Sequence, residues 1–538
     1  MFCNAGRGRL LLAAGALALA GCSRQPAGTR FQRIAILRFE NLGADPSQDW
    51  MGRAFSEVVT AGLAGAPGIY AIPSNRMHSF DRSLGARPVS APGISAEREL
   101  ALVSGANRLG YGYYSVRGGR LEARLVIEDV RNGKMTAELS ANAPADGVIA
   151  AASDLARQIR GAPPPLQPVN AAGLKAYVDA LEGNDPDAAE RSLEQALAAS
   201  PDYAPAYRLL GQLKAQAQDR AGALAVLARA FSHDLRPIER ARLELDAAEL
   251  SGDRPARLRA LDAVSRLDPS DPTVWRALAA AAMTAHRYPQ AAAGFKKAIE
   301  IEPEDAGTLN QLGYACGYSG DFPGAMDALR RYQALQPAEA NPFDSMGDVN
   351  LLTGRLREAE DFYLQSSRKN PHFASGGSLF KAAMARLMTG DIAGADGLER
   401  RYLDGRAAEK DPALDYRKAE WTWVSGRRKE ARSQMEAFAH SAENGSAREL
   451  ASRAYAELAV WNMLLGDAGA AARMARQATA TADASGAAVA AVARLITLPH
   501  APPAEWAGLL VLFSAPVRSA RAAGRARLEF LHFPRGLF

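Results

Sequence analysis

Five prolines, Pro201, Pro269, Pro303, Pro337 and Pro371, fall in one frame of 34 residues, with Leu235 in the empty place between the first two. Ala189, Ala223, Ala291, Ala325 and Ala359 keep the same frame, and four residues after each comes a bulky side chain: Leu193, Leu227, Phe295, Leu329 and Tyr363. Gly211, Gly313 and Gly347 share another column, with Ala279 between them. Alanine coincidences carry little weight in an alanine-rich chain, but a proline column constrains the fold strongly. A period of this length describes a two-helix unit. Small residues let the two helices approach closely, the bulky residue plugs between repeats, and proline ends the second helix because it cannot donate a backbone hydrogen bond. Such units are stable only when stacked on their neighbours.

Trp275-x2-Leu278-Ala279, followed by Ala291-x3-Phe295 and Pro303, resembles the W-x2-L-G-x2-Y…A-x3-F…P pattern of the tetratricopeptide repeat. Starts at about 170, 204, 238, 272, 306 and 340 give repeats in register, and looser ones start near 376, 412 and 452, around Gly390, Gly426 and Gly466. The resemblance implies an all-α array over residues 170–500, a right-handed superhelix of about nine helix pairs. It also implies an inner groove lined by positions 2, 5, 9, 12 and 13 of each first helix. Positions 5 and 9 correspond here to Arg208 and Gln212, Arg276 and Ala280, Asn310 and Tyr314, then Asp344 and Asp348. The expected groove runs from basic to acidic and suits an extended peptide with separated charges. The Lys/Asn pattern of the chaperone-tail carboxylate clamp is not matched.

Pro163, Pro164, Pro165 and Pro168 punctuate the chain at 162–169, and the pattern before them is different. Residues 31–161 mix strand and helix signals in the order βαβαβββα, an α+β amino-terminal domain. Ile34, Ile36 and Leu37 read as a buried strand, and Met51, Phe55, Val58, Val59 and Leu63 lie at helical spacing behind Asp49 as N-cap. Ser95 opens a second helix. Gly118-Gly119 and Asn132-Gly133 are hairpin turns, between which Leu121, Ala123, Leu125 and Ile127 alternate onto one face. "RIAILRFENL", the long helix and "SGANRLGYGYY" are similar to the amino-terminal domain of TolB and its relatives in curli- and flagellum-assembly lipoproteins. That resemblance implies contacts between proteins and carries no catalytic residue with it.

At the amino terminus Arg7 and Arg9 precede an apolar stretch from Leu10 to Ala20, too short to span a bilayer core of roughly 30 Å. Leu19-Ala20-Gly21-Cys22 resembles the lipobox of bacterial lipoproteins, with residues 1–21 as signal peptide and 22–30 as tether. The resemblance implies lipidation (palmitate among the chains) of Cys22, and several acyl chains on one residue hold a protein at a membrane. Ser23 stands where an aspartate would favour inner-membrane retention, so the expected location is the outer membrane, facing the periplasm. With Cys3 in the signal and Cys22 as anchor, Cys316 is left alone and no internal disulfide can form. The net charge of +5 on 538 residues gives no reason to expect nucleic acid. The tail at 501–538, with Leu512, Phe513, Phe530 and Phe533 among its arginines, reads as a terminal cap or a basic amphipathic segment.

Signs of chemistry are missing. The seven histidines are scattered with no ligand spacing, and no phosphate loop, HExxH or GxSxG is present, so neither metal nor cofactor is expected. Ser366-x-x-Lys369 matches SxxK but lacks the accompanying KTG. Asp344 and Asp348 share one helix face, as a general acid and base would, yet they fit a groove wall better. The expected function is a non-enzymatic, envelope-anchored scaffold that binds a protein or peptide in its groove. The alternative is a sensor or regulatory component of a signalling or envelope-assembly system, acting through the TolB-like domain.

Overall fold

The computed structural model describes residues 31–73, 101–161, 169–445 and 448–482. Cys22, Ser95, the proline-rich stretch and the basic tail lie outside them. The chain divides into two compact units, Met1–Leu335 and Gln336–Phe538.

The first unit opens with β1 (Gln32–Ile36), β2 (Glu40–Asn41), α1 (Trp50–Leu63), β3 (Ile69–Ala71), β4 (Arg108–Arg117), β5 (Arg120–Asp129), β6 (Lys134–Pro144) and α2 (Val148–Arg160). The sheet order is β3-β1-β4-β5-β6, with β2 also on β4. β1 runs parallel to β3 and β4, while β4, β5 and β6 form an antiparallel meander. Gly118 and Gly119 hold φ of +57° and +77° between the paired Arg117 and Arg120, the two-residue turn that only glycine-like residues adopt without strain. Leu121, Ala123, Leu125 and Ile127 all point inwards, into one core with Phe55 and Val59 of α1 and Leu155 of α2. Asp49 departs from expectation. A 3-10 turn over Pro46–Gln48 runs straight into α1, so Asp49 is already helical at φ −58° and makes no side-chain cap; its carboxylate accepts from Asn41 instead.

Five helix pairs complete this unit: α3 (Ala171–Glu182) and α4 (Pro186–Ala199), α5 (Ala204–Gln216) and α6 (Arg220–Ala230), α7 (Pro237–Ser251) and α8 (Arg254–Leu267), α9 (Pro272–Thr284) and α10 (Tyr288–Ile301), α11 (Ala306–Ser319) and α12 (Phe322–Leu335). The second unit stacks α13 (Asn341–Leu352) and α14 (Leu356–Lys369), α15 (Gly377–Met388) and α16 (Ile392–Ala408), α17 (Leu414–Val424) and α18 (Arg428–Asn444), α19 (Arg448–Leu464) and α20 (Ala468–Thr481). The pairs are of tetratricopeptide type, so the molecule is an α+β domain followed by an all-α repeat array.

Each proline of the 34-residue column stands two residues beyond the end of a second helix. The bulky column lies over the glycine column of its own repeat, and Tyr363 also packs with Ala382 and Ala383 of the repeat that follows. A Cβ at Gly313 would stand 2.6 Å from Leu329 Cδ2, and one at Gly211 would stand 3.2 Å from Leu227 Cδ2. The frame slips in the second unit first at the 3-10 turn Phe373–Gly376 between α14 and α15, and again where α16 runs to 17 residues, against 14 for α10, α12 and α14.

The sheet domain does not stand apart from the repeats that follow it. Leu174 and Val178, at positions 5 and 9 of the first repeat, are both 0% exposed and share the core of α1 and α2. Arg33 donates to the carbonyls of Ile301 (2.9 Å) and Gly105, the hydroxyl of Ser270 reaches Ala66 O, and Arg131 pairs with Glu304. Trp275 packs with Phe31, Tyr70 and Ile301 in a second apolar cluster. The groove positions of the first repeat are therefore covered by the protein's own sheet domain.

Candidate functional site

Of the groove residues named from the sequence, the charged ones are already engaged. The Arg208 guanidinium on α5 forks onto Asp246 of α7 at 2.6 and 3.1 Å. Arg276 on α9 binds Glu302 and Asp305, which lead into α11. On α13, Asp344 and Asp348 both accept from Lys381 of α15 at 2.7 and 2.8 Å. Ser378 donates to Asp344 and Tyr363 to Asp348, each at 2.8 Å. Asp344 is only 6% exposed. This corrects the expectation of a groove whose basic and acidic side chains stand ready for a peptide: they are paired between repeats. Positions 5 and 9 of one first helix look towards the first helix of the next repeat, and an opposite charge there captures them. Gln212 and Ala280 remain exposed.

The α13–α15 network also bears on catalysis. Ser378 and Lys381 have the SxxK spacing, and the buried Ser366 shares a hydrogen bond with Ser378 at 2.9 Å. Burial alone would lower the Lys381 ammonium, but Asp348 and Asp344 outweigh it and raise it to about 12, so it holds its proton and is no general base. Burial pushes Asp344 above the usual carboxylate range, against the pull of Lys381. Lys369 is turned away and donates to Pro337 O. These residues tie two repeats together, with no accessible nucleophile among them.

Asn310 and Tyr314 behave differently. They are four residues apart on α11, and Tyr318 continues the same stripe. The rings of Tyr314 and Tyr318 stack at 6.4 Å, and Tyr318 stacks on Tyr288 of the preceding repeat at 4.9 Å. Tyr288 in turn contacts His286 Nδ1 through its hydroxyl at 2.8 Å. Tyr318 is 43% exposed, and Asn310 Oδ1 is buried without a hydrogen-bond partner. The result is a half-open aromatic strip on the groove side of α11. Tyr318 was legible in the sequence, since it occupies position 13 of its first helix; Tyr288 was not, because its ring joins the strip only through the packing of adjacent repeats. His286 closes the turn at φ +56°, where Gly252 and Gly320 stand in the flanking repeats.

Among the described residues no three His, Cys, Asp or Glu side chains gather as metal ligands, and no helix is long and apolar enough to cross a membrane.

A profile described as tetratricopeptide repeat matches residues 180–243. No curated protein matches the chain significantly. Among solved structures, a crystal structure of MamA protein is similar at 21% identity over 32% of this chain and 94% of its own, with a TM-score of 0.29. A MamA segment from Desulfovibrio magneticus RS-1 is similar at 20% identity over 31% of this chain and 95% of its own, with a TM-score of 0.27.

Proposed function

We propose that this protein is a non-enzymatic scaffold of the bacterial cell envelope that holds an extended segment of a partner protein along its repeats. The half-open strip of Asn310, Tyr314, Tyr318 and Tyr288 carries this reading. The named groove charges are spent on neighbouring repeats, whereas α11 presents half-open aromatic faces. Stacked tyrosines supply large contact area at low cost in side-chain entropy, as binding hot spots do. Tetratricopeptide repeats in general bind proteins, which agrees with this assignment.

The test is recovery of partners from detergent-solubilised envelopes by the full chain and by a Tyr314→Ala, Tyr318→Ala variant of unchanged circular dichroism. Loss of at least tenfold in recovery of a specific partner is expected, about 1.4 kcal/mol or more. Equal recovery removes the strip from the binding site. We further propose that Cys22 carries the lipid anchor and holds the protein at the outer membrane. Cys22→Ser then moves the protein out of the membrane pellet; wild-type protein in the soluble fraction with no lipid mass on its terminal peptide would overturn that proposal.

A further inference from the structure

Glu399 lies on α16 with 1% of its surface exposed, and neither carboxyl oxygen has a hydrogen-bond partner. Ala395, Leu398 and Tyr402 of the same helix are buried with it, and Phe380 and Trp421 pack into the cluster that holds Ala395 and Leu398. A carboxylate in such a place loses its hydration and gains no hydrogen bond in return, at a cost that drives it to bind a proton.

The charged groups around it are committed elsewhere. From α17, Arg417 attracts Glu399 but is hydrogen-bonded to Asp411 at 2.9 Å, while Asp415 and Lys418 pair with each other. Glu420 of that helix stands with Glu457 of α19. From α15, Lys381 is held by Asp344 and Asp348, and Arg386 by Glu360. The turn at Phe373–Gly376 brings no charge, and His372 beside it binds Glu409. On α16 itself, Asp396 repels Glu399 and accepts from Trp421 Nε1 and Arg427. Also on α16, Arg400, Arg401 and Asp404 are exposed, and Arg406 pairs with Glu409 and Asp411.

We propose that the contact of α16 with α17 is a pH-responsive joint, closed while Glu399 carries a proton and opened by its ionisation. Burial raises the Glu399 carboxyl to about 8, with Asp396 adding to the rise and Arg417 opposing it. The closed form therefore binds a proton that the open form releases. Closure is strongest below the ordinary glutamate range, weakens as pH rises through neutrality, and reaches its floor above about 8. Within that window one proton is linked to opening, so the closing constant falls by about tenfold per pH unit.

Hydrogen exchange of the full chain, read on α16 and α17 peptides at pH 5.5, 6.5 and 7.5 and corrected for intrinsic rates, tests this. Wild type should lose protection there by about tenfold per unit, and Glu399→Gln should lose none. The same slope in Glu399→Gln, or no slope in wild type, overturns the proposal. Glu457 of α19, which burial raises to about 7, is the control: Glu457→Gln should leave the α16–α17 slope in place, and if it alone flattens that slope the joint is not Glu399. Glu399→Leu should fold and also abolish the slope; failure of both Glu399 variants to fold would mean that the residue is needed for more than its proton, and would equally overturn the proposal.

Discussion

Asp344 accepts from Lys381 and Ser378 inside the α13–α15 contact, so its replacement leaves a buried ammonium with one carboxylate where it had two. Loss of a buried charged hydrogen bond costs about 1.5–3 kcal/mol. Asp344→Ala should lower the unfolding free energy of the second unit by that amount, and Asp344→Lys by more, because two ammonium groups would then meet. Chemical denaturation followed by circular dichroism measures both; an Asp344→Lys protein as stable as wild type would mean that the network does not form. Asp411 gives a prediction of opposite pH sense to Glu399. Burial works against its charge, but Arg406, the Ala413 N–H and Arg417 outweigh this and hold it at about 2. Its folded value is depressed, so its stabilisation is present above pH 4 or so and is lost as pH falls towards 2. Asp411→Asn should be less stable than wild type at pH 7, with the gap closing on acidification. A constant gap would show that the carboxylate charge is not what stabilises this loop.

At the scale of the element, the column that matters most is one of small residues. Ala325 is 0% exposed on α12, in line with Ala291 and Ala359, and a tryptophan there would force the helices apart. Overpacking costs about 1–3 kcal/mol, so Ala325→Trp should reduce the thermal midpoint of the first unit, and an unchanged midpoint would contradict the register. A second column emerges only from the hydrogen bonds. Asp185, Asp219, Asp253 and Asp321, also 34 apart or twice that, each cap a second helix, as in the 2.9 Å bond from Gly324 N to Asp321. Arg287 fills the empty place before α10 and makes no side-chain cap. Arg287→Asp should supply one and stabilise the first unit by about 1 kcal/mol. A melt showing no gain would indicate that the turn held open by His286 prevents capping.

At the scale of the whole molecule, the first unit joins sheet and repeats through shared apolar cores and through Arg33, whose guanidinium links the sheet to Ile301 O. A chain lacking residues 31–161 would expose Leu174, Val178 and Tyr177, so the first repeats should lose cooperativity or aggregate. Calorimetry of the full chain should give one transition for sheet and first repeats together, and Arg33→Ala should shift that transition as a whole. Separate melting of the sheet domain would refute the joint core.

The repeats were legible because the information is local. A proline that ends a helix, an alanine or glycine that lets two helices touch, and a bulky residue four places later each act within one unit, and recurrence at 34 residues multiplies the signal. The meander was legible for the same reason, through its glycine turns and the alternation from Leu121 to Ile127. Part of the candidate site was readable too: Asn310, Tyr314 and Tyr318 share a helical stripe in the sequence itself. What only the tertiary structure decided is which side chains are spent. Arg208 and Asp246 are 38 residues apart, Asp344 and Lys381 are 37 apart, and Arg33 and Ile301 are 268 apart. Charge, burial and partner are properties of contacts, and no helical or strand period records a contact made between one repeat and the next, or between a strand at residue 33 and a turn near residue 301.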